Sequence, residues 1–243
     1  MTTNRHSGAK APVKSATART TKNRKSARRK ILRVGIYGLG ANPVTTSHKI
    51  IAEQAADQAN LDITYWVPVG QPTDKKVESK TLRAKFIRRT VKNNPRFKAS
   101  WVEFRRKGWS YMADTLRYFK RLHPHAELFL IVGEDRVSNP QDPKAELKNW
   151  HEAHAIFEMA TILCGPRYGC QERVTDEWLA SMLPPGARSQ AIEIGYSSTW
   201  IRKRMSEGRS VRYMIDDGDI EDIKAHGAYG TAKAATGNAR RSK

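Results

Sequence analysis

Apolar residues are arranged along the chain in two alternating patterns. Short continuous runs that mix β-branched and aromatic residues occur at 31–38 and 61–69, and each run is typical of a buried strand. Between them, residues 45–59 place apolar side chains at helical spacing, with Thr and Ser at the start as candidate caps. The two strands and the helix make a βαβ unit, which is parallel and right-handed by default.

The same alternation continues through most of the chain. The pattern predicts strands over 97–104, 126–135, 159–169 and 188–199, and helices over 80–93, 110–124, 145–158 and 199–208. Residues 211–230 are predicted to form a small helical appendix. Because strands alternate with helices, the sequence favours one α/β domain over residues 31–230, a doubly wound parallel sheet with this appendix at its C-terminal end.

Charge separates this domain from the two ends of the chain. The net charge of +20 lies mainly outside the domain, since residues 1–30 hold ten Lys or Arg and no acid and residues 231–243 hold four more. Both segments lack large apolar side chains, so we expect a disordered basic arm at 1–30 and a disordered basic tail at 231–243. Such segments make weak contacts with polyanions such as RNA. The arm also resembles an organelle transit peptide in composition, although the Leu and Phe of an amphipathic helix are missing.

Composition narrows the class of protein further. Apolar runs such as Leu128 to Val132 are far shorter than the about 20 residues that cross a bilayer, so no membrane span is expected. The two cysteines, Cys164 and Cys170, are too few for a disulfide framework and have no CxxC or histidine pair that would suggest structural zinc. We therefore expect reduced thiols, no protein-bound metal site and a cytoplasmic location. The sequence leaves the oligomeric state open, a homo-oligomer included.

The turn "GLGANPVTTSH" at 38–48 is the first candidate for chemistry. A helix start offers free backbone N–H groups and the positive end of a dipole, so it favours anionic phosphate. His48 in the first helical turn adds a donor that can follow the charge developing on a leaving pyrophosphate. A glycine turn before a capped helix is also common structure, so this loop by itself leaves both interpretations open.

A second helix start, "YSSTWIRKRMSEG" at 196–208, offers similar chemistry. Its serines can cap the helix, while the basic run Arg202 to Arg204 places positive charge one turn in, an arrangement that can grip a triphosphate. A capped helix with a solvated basic face is the structural alternative. Both helix starts follow predicted parallel strands, so they can face the same carboxyl edge of the sheet, as can Asp135.

Taken in order, several segments of the chain resemble a known family. The segments are RVGIYGLGANPVTTSH, VPVGQPTDK, NPRFKASWVEFRRKGWSYMADTL, FLIVGED, Trp150, and YSSTWIRKRMSEG followed by HGAYG. They occur in the order, and at roughly the spacing, of bacterial nicotinate-nucleotide adenylyltransferases, and the resemblance covers Arg33 to about Tyr229. This ordered set is far more specific than either helix start alone.

The resemblance implies a fold, an activity and a cofactor. The family is similar to other nucleotidyltransferases that have a Rossmann-like sheet and an HxGH signature. Its members transfer AMP from ATP to the phosphate of nicotinate mononucleotide, use Mg²⁺ bound with ATP, and release pyrophosphate in NAD biosynthesis. The chemistry needs no covalent intermediate, because the acceptor phosphate attacks the α-phosphorus in line while the protein positions both substrates.

The motifs of the family fall on individual positions of this chain. HxGH falls on 45–48, where the second histidine is kept as His48 while the first has become Thr45 and the glycine Ser47. The motif ISSTxIR falls on 196–202 and keeps its serines, threonine and arginine. The resemblance implies that the catalytic residues are His48, Thr45 and Arg202, that the ATP-binding residues are Gly38, Gly40, Lys75, Gly133, Asp135, Ser197, Ser198 and Thr199, and that the acceptor-binding residues are Tyr111, Met112 and Trp150.

Three departures from the family pattern keep more than one function open. Met112 stands where the family has a threonine that helps to recognise the nicotinate carboxylate, and Asp74 stands where its PPHK-like loop has a histidine. Thr45 replaces a preorganised donor, whose loss costs on the order of 10²- to 10³-fold in rate. Three hypotheses follow: an adenylyltransferase for nicotinate mononucleotide, a related nucleotidyltransferase with another phosphate acceptor, or a catalytically impaired member that binds a nucleotide or RNA.

Overall fold

The computed structural model describes residues 30–72, 77–167 and 174–231. The predicted arm at 1–30 and tail at 231–243 therefore lie outside the described residues, apart from Lys30 and Thr231. Six strands are present in this part of the chain: β1 Arg33–Leu39, β2 Ile63–Pro68, β3 Phe97–Ala99, β4 Glu127–Gly133, β5 Ala160–Gly165 and β6 Ser189–Ala191. The helices are α1 Thr46–Gln58, α2 Lys80–Val91, α3 Val102–Arg105, α4 Met112–Leu122, α5 Ala153–Met159, α6 Asp176–Met182, α7 Ser198–Ser206 and α8 Asp217–His226.

The six strands form one parallel sheet in the order β3-β2-β1-β4-β5-β6. This order confirms the predicted Rossmann-like, doubly wound α/β fold with C-terminal helices. The strand order reverses between β1 and β4, and ligands of open α/β sheets bind beside such a switch point, at the carboxyl ends of the strands. The turn after β1, the residues after β4 and the start of α4 all lie on that side of the sheet.

The sheet separates two apolar layers because successive side chains of a strand point to opposite faces. Ile36 of β1 is buried in the layer that also holds α4, whereas Tyr37 is buried in the layer that also holds α1. The first layer includes Val34, Ile36, Leu116, Phe119, Leu130, Ile156 and Leu179, and the second includes Tyr37, Ile51, Ala52, Trp66, Ile87, Ile131 and Leu163. Full burial stabilises a Leu, Ile or Phe side chain by roughly 1.5–3 kcal/mol. These two layers hold the carboxyl edge in place.

Three predicted elements differ from the structure. The strand predicted over 97–104 ends after three residues, and Val102–Arg105 form the helix α3 instead. The helix predicted over 145–158 is shorter, since 3-10 turns at Pro143–Ala145 and Leu147–Asn149 precede α5. The strand predicted over 188–199 is reduced to β6. The pattern did not predict helix α6.

Among the described residues, no helix is both long and apolar enough to cross a membrane.

Candidate functional site

The turn between β1 and α1 brings two predicted site residues together. Gly38 lies near the end of β1, and a Cβ added there would come within 2.5 Å of the terminal methyl group of Met112, the first residue of α4. Ala41 then takes a left-handed backbone conformation with φ of 51°, which is uncommon for a residue with a side chain. The predicted ATP-binding glycine and a predicted acceptor-binding residue are therefore neighbours.

Thr45 and His48 are joined at the start of α1. The backbone N–H of Thr45 donates to Nδ1 of His48 over 3.1 Å, and Oγ1 of Thr45 lies 2.6 Å from the same nitrogen. Because Nδ1 accepts the backbone N–H, the neutral imidazole carries its proton on Nε2. Thr45 thus fixes the tautomer and the orientation of His48, and the residue that replaces the first family histidine acts on the second one.

The surroundings of this histidine are apolar on one side and polar on the other. The ring of Tyr37 lies 6.2 Å from the ring of His48, and burial raises the pKa of Tyr37 above its ordinary value, so the phenol stays neutral. Thr46 and Ser47 are exposed, and the first turn of α1 carries no acidic residue. The helix start therefore presents hydroxyls, backbone N–H groups and no competing negative charge.

The ends of β4 and β5 carry the predicted Gly133 and Asp135 together with an arginine. Oδ2 of Asp135 accepts from Nη1 of Arg167 over 2.7 Å, whereas Oδ1 is buried without a hydrogen-bond partner among the described residues. A Cβ on Gly133 would lie 2.6 Å from that Oδ1, so glycine allows the carboxylate to fold back over the chain. A buried acceptor without a partner is costly, and a ligand hydroxyl would satisfy it.

The start of α7 has the predicted cap. Oγ of Ser197 accepts from the backbone N–H of Trp200 over 3.2 Å, and Oγ1 of Thr199 accepts from Nη2 of Arg202 over 3.2 Å. Ser198 and Arg202 are exposed. The hydroxyls of the predicted ATP-binding motif and its arginine therefore lie together on one exposed helix start.

The basic residues of this helix divide into exposed and buried side chains. This corrects the interpretation that Arg202 to Arg204 together bind phosphate. Arg204 is only 7% exposed, and its Nη2 lies 2.5 Å from Oδ2 of Asp57 near the end of α1. Its guanidinium also lies 4.7 Å from the ring of Trp200. Arg204 is therefore committed to packing α7 against α1, which leaves Arg202 and Lys203 as the exposed cations.

The predicted acceptor side contains an aromatic pair and a half-buried indole. The rings of Tyr111 and His151 lie 4.2 Å apart, and the backbone carbonyl of Tyr111 accepts from Nη1 of Arg106. Nε1 of Trp150 donates to the carbonyl of Ala145 over 2.8 Å, which fixes the plane of the indole. A fixed, partly exposed indole face is suited to stacking on a flat heterocycle.

A small cavity lies beside the start of α1. It has a volume of about 190 Å³ and is lined by Val44, Thr45, Thr46, Lys49, Phe86, Arg89 and Thr90. Two cations and three hydroxyls make it a suitable place for part of an anionic ligand. A larger cavity of about 510 Å³, between the end of α4 and the start of β5, lies at the opposite edge of the sheet.

The described residues contain no group of three or more His, Cys, Asp or Glu side chains that could hold a metal ion. Asp135, whose Oδ1 has no partner, is a single carboxylate already paired with Arg167. Mg²⁺ is usually bound by one or two carboxylates, several waters and substrate phosphates. The residues present therefore fit a metal that arrives with ATP and is held mainly by its phosphates.

Several residues that contact the candidate site emerge only from the structure, and one predicted residue lies beyond what the structure describes. Lys75 lies outside the described residues. Arg167 and His151 were missed because each meets its partner from a different element of the fold, and no local motif marked them. Arg83 was also missed, although a lone arginine beside apolar residues in a helix otherwise rich in exposed cations is a weak signal of burial.

Comparisons with known proteins identify the family of the chain. A sequence profile described as cytidylyltransferase-like matches residues 38–204. A relative from Thermus thermophilus, named "Probable nicotinate-nucleotide adenylyltransferase", is 33% identical over 199 residues that cover 82% of this chain and all of the relative. A relative from Exiguobacterium sibiricum with the same name is 30% identical over 205 residues, which cover 82% of this chain and all of the relative.

Solved structures show the same fold at lower identity. The Plasmodium falciparum nicotinic acid mononucleotide adenylyltransferase complexed with NaAD has a TM-score of 0.54 and 16% identity, over 82% of this chain and 97% of that one. The same enzyme complexed with APC has a TM-score of 0.53 and 15% identity, with the same coverage. At this identity the similarity concerns the fold.

Proposed function

This chain belongs to the cytidylyltransferase-like family, and we propose that it transfers AMP from ATP to the phosphate of nicotinate mononucleotide and releases pyrophosphate. The observation that carries the proposal is the contact of Thr45 with His48, which leaves an N–H on Nε2 of an imidazole in the first turn of α1. A donor at a helix start, in a turn beside the switch point of the sheet, is suited to a phosphate that gains charge.

The reaction on the ATP side is an in-line displacement. An oxygen of the acceptor phosphate forms a bond to the α-phosphorus of ATP as the bond from that phosphorus to the bridging oxygen of the β-phosphate breaks. The electron pair of the broken bond leaves with pyrophosphate, and His48 Nε2–H together with the backbone N–H groups at the start of α1 stabilises this charge. Arg202 and the exposed hydroxyls of α7 bind the polyphosphate at the second helix start.

The remaining predicted residues position the two nucleotides. Asp135 Oδ1, the buried acceptor without a partner, is suited to a ribose hydroxyl. Trp150 and Tyr111 offer aromatic faces to the acceptor base. Mg²⁺ bound with ATP would neutralise phosphate charge and make the α-phosphorus more electrophilic.

A pyrophosphate-release assay tests the proposal. Purified protein is given ATP, Mg²⁺ and a panel of acceptors that includes nicotinate mononucleotide, nicotinamide mononucleotide and phosphopantetheine. We expect turnover with nicotinate mononucleotide that is lost in EDTA and in His48→Ala, but kept in His154→Ala, which removes an exposed histidine of α5. The proposal is wrong if none of the acceptors turns over at a protein concentration at which ATP binding is clear, and the non-catalytic hypothesis then holds.

A second acceptor class is favoured by the contact of Met112 with Gly38. The methyl group of Met112 occupies the edge of the acceptor side where a threonine hydroxyl would otherwise be available. A nicotinamide nucleotide or another acceptor without a carboxylate would tolerate this apolar edge better. Preference for such an acceptor in the same panel, reversed towards nicotinate mononucleotide by Met112→Thr, would support this second candidate.

A further inference from the structure

Arg83 of α2 is a fully buried cation that binds backbone carbonyls of three segments. It is 1% exposed, and its guanidinium donates to the carbonyls of Glu78 at 2.8 Å, Gly40 at 3.1 Å, Val69 at 2.7 Å and Gly70 at 3.5 Å. Its side-chain hydrogen bonds to the described residues go to backbone carbonyls, and the charge of Glu103 also acts on it. A planar guanidinium offers five N–H donors in a rigid fork, whereas a lysine ammonium offers three at the end of a flexible chain.

The carbonyls bound by Arg83 belong to loops on either side of the candidate site. Gly40 lies in the turn that leads from β1 to Thr45 and His48. Val69 and Gly70 directly follow β2, and Glu78 precedes α2 on the far side of residues 73–76. The backbone N–H of Val69 donates to the carbonyl of Leu39 over 3.0 Å, and Arg83 extends this connection beyond the paired strands to Gly40 and Gly70.

The same hydrogen-bond network continues from Gly70 to the acceptor side. The backbone N–H of Gly70 donates to Oγ of Ser110 over 3.1 Å and to Oε2 of the buried Glu103 over 3.4 Å. Oε1 of Glu103 accepts from the hydroxyl of Thr115 in α4 over 2.8 Å. A Cβ on Gly70 would lie 2.1 Å from the carbonyl oxygen of Glu103, so only glycine fits. Ser110 immediately precedes Tyr111 and Met112.

We propose that Arg83 is a positioning residue that holds the turn carrying His48 at a fixed distance from the acceptor side through Gly40, Gly70 and Ser110. The inference rests on the proposed function of that turn. Since transfer requires the α-phosphorus and the acceptor oxygen to be in line, a displacement of about 1 Å between the two sides can cost on the order of 10²-fold in rate. Because Arg83 is only 1% exposed and bonds to backbone carbonyls, its loss should act on kcat more than on the KM for ATP.

The test compares two buried arginines of the same chain. Arg83→Lys keeps a charge but loses the planar fork, and we expect kcat to fall about 10²-fold with little change in the KM for ATP. Arg204→Lys is the matched control, because Arg204 is also buried but binds Asp57 near the other end of α1. We expect Arg204→Lys to lower Tm while leaving kcat close to that of the wild type.

Hydrogen exchange gives a second measurement that needs no turnover. Arg83→Lys should increase amide exchange in 38–48 and 69–72 together, whereas Arg204→Lys should increase it in 53–60 and 209–213. If the wild type turns over no acceptor, the proposed function fails and exchange alone decides the role of Arg83. Should Arg83→Lys fold poorly, Ser110→Ala interrupts the same network beyond Gly70 and should lower kcat in the same manner.

Two results would overturn the inference. One is a folded Arg83→Lys or Ser110→Ala with wild-type kcat and unchanged exchange in both segments. The other is that the two variants, Arg83→Lys and Arg204→Lys, lose kcat in the same proportion to their loss of stability. Arg83 would then be a purely structural residue. The proposal is supported if Arg83→Lys loses kcat selectively and also shows increased amide exchange in both 38–48 and 69–72.

Discussion

The two ends of helix α1 differ in the charged residues around them. At its start, Thr45 to Ser47 are exposed, no acid is present, and Lys49 faces a small cavity that it shares with Arg89 of α2. At its other end, Asp57 pairs with Arg204 at 2.5 Å and with Arg209 at 2.9 Å. Helix dipoles favour anions at the start and cations at the end, and α1 receives its cations at the end from other parts of the chain.

The difference shows which positive charges are structural. Near the end of α1 each acid is matched inside the protein, since Glu53 also pairs with Arg96 and accepts from the hydroxyl of Ser210. At the start, the dipole and nearby cations meet no acid of the first turn. A helix start that is left without an acid is available to an anionic ligand, whereas the matched end contributes to stability.

Replacement of His48 is expected to have the largest effect and to separate the two ends most clearly. His48→Ala removes the donor at the start of α1, and loss of one preorganised donor costs about 10²–10³ in kcat, or about 2.7–4 kcal/mol. Stability should change little, because the residue is only partly buried. Steady-state kinetics and thermal unfolding measure both effects; a large loss of Tm without loss of kcat would contradict the comparison.

Replacement of Asp57 should have the reverse effect. Asp57→Ala leaves Arg204 and Arg209 without their shared carboxylate, and breaking a buried pair on one side costs about 3 kcal/mol at the low end of its range. Urea unfolding should show this loss of stability, while kcat of the folded protein stays near wild type. Asp142→Ala, which removes an exposed acid far from α1, is the control. A fall in kcat equal to that of His48→Ala would show that the two ends are not independent.

Replacement of Thr45 tests whether it acts through His48. Thr45→Val removes the hydroxyl but keeps the backbone N–H, so kcat should fall about fivefold, the equivalent of one hydrogen bond of about 1 kcal/mol. In the background of His48→Ala the same change should have no further effect, because the hydroxyl has lost its partner. Thr45→His restores the first histidine of the family motif and should raise kcat. An additive loss in the double variant would mean that Thr45 contacts phosphate directly.

The smallest expected effect is a pH dependence of stability at Glu103. Burial raises the pKa of Glu103 in the folded state, so the folded protein holds the proton of this carboxyl more tightly than the unfolded chain does. The stabilisation that protonated Glu103 gives is fully present below the unfolded pKa and is lost as pH rises through the folded pKa. The free energy of unfolding of the wild type relative to Glu103→Gln should therefore increase as pH falls from neutrality towards about 4.3. A difference that does not change with pH would contradict the assignment.

Much of the fold could be predicted because its strongest signals are local. The run from Leu128 to Val132 in β4 is continuously apolar and the spacing in α1 is helical, so both elements lie within a few residues of their predicted bounds. The prediction for 97–104 was wrong because Trp101 and Phe104 suggest a strand. In the structure they pack against Arg88 and Arg83 of α2, and Phe104 belongs to α3, which begins after Trp101. Such packing outweighs local preference.

The same distinction applies to the candidate site. Thr45 and His48 are three residues apart, so their contact follows from helix geometry once the start of α1 is known. The contact of Asp135 with Arg167 joins the ends of two neighbouring strands, and that of Gly38 with Met112 joins β1 to α4. Contacts of this kind depend on the strand order, which no short motif states.

The pairing of Asp57 with Arg204 has a consequence for the synthesis of the chain. The two residues are 147 positions apart, so the carboxylate of the first helix is made long before its partner. At roughly 5–20 residues per second, the ribosome needs about 7 to 30 seconds to add the residues up to the arginine. During that interval Asp57 near the end of α1 has not yet met the arginines that pair with it once α7 and the residues after it have folded. Truncation before residue 204 would therefore leave Asp57 without either of the arginines that pair with it in the folded domain.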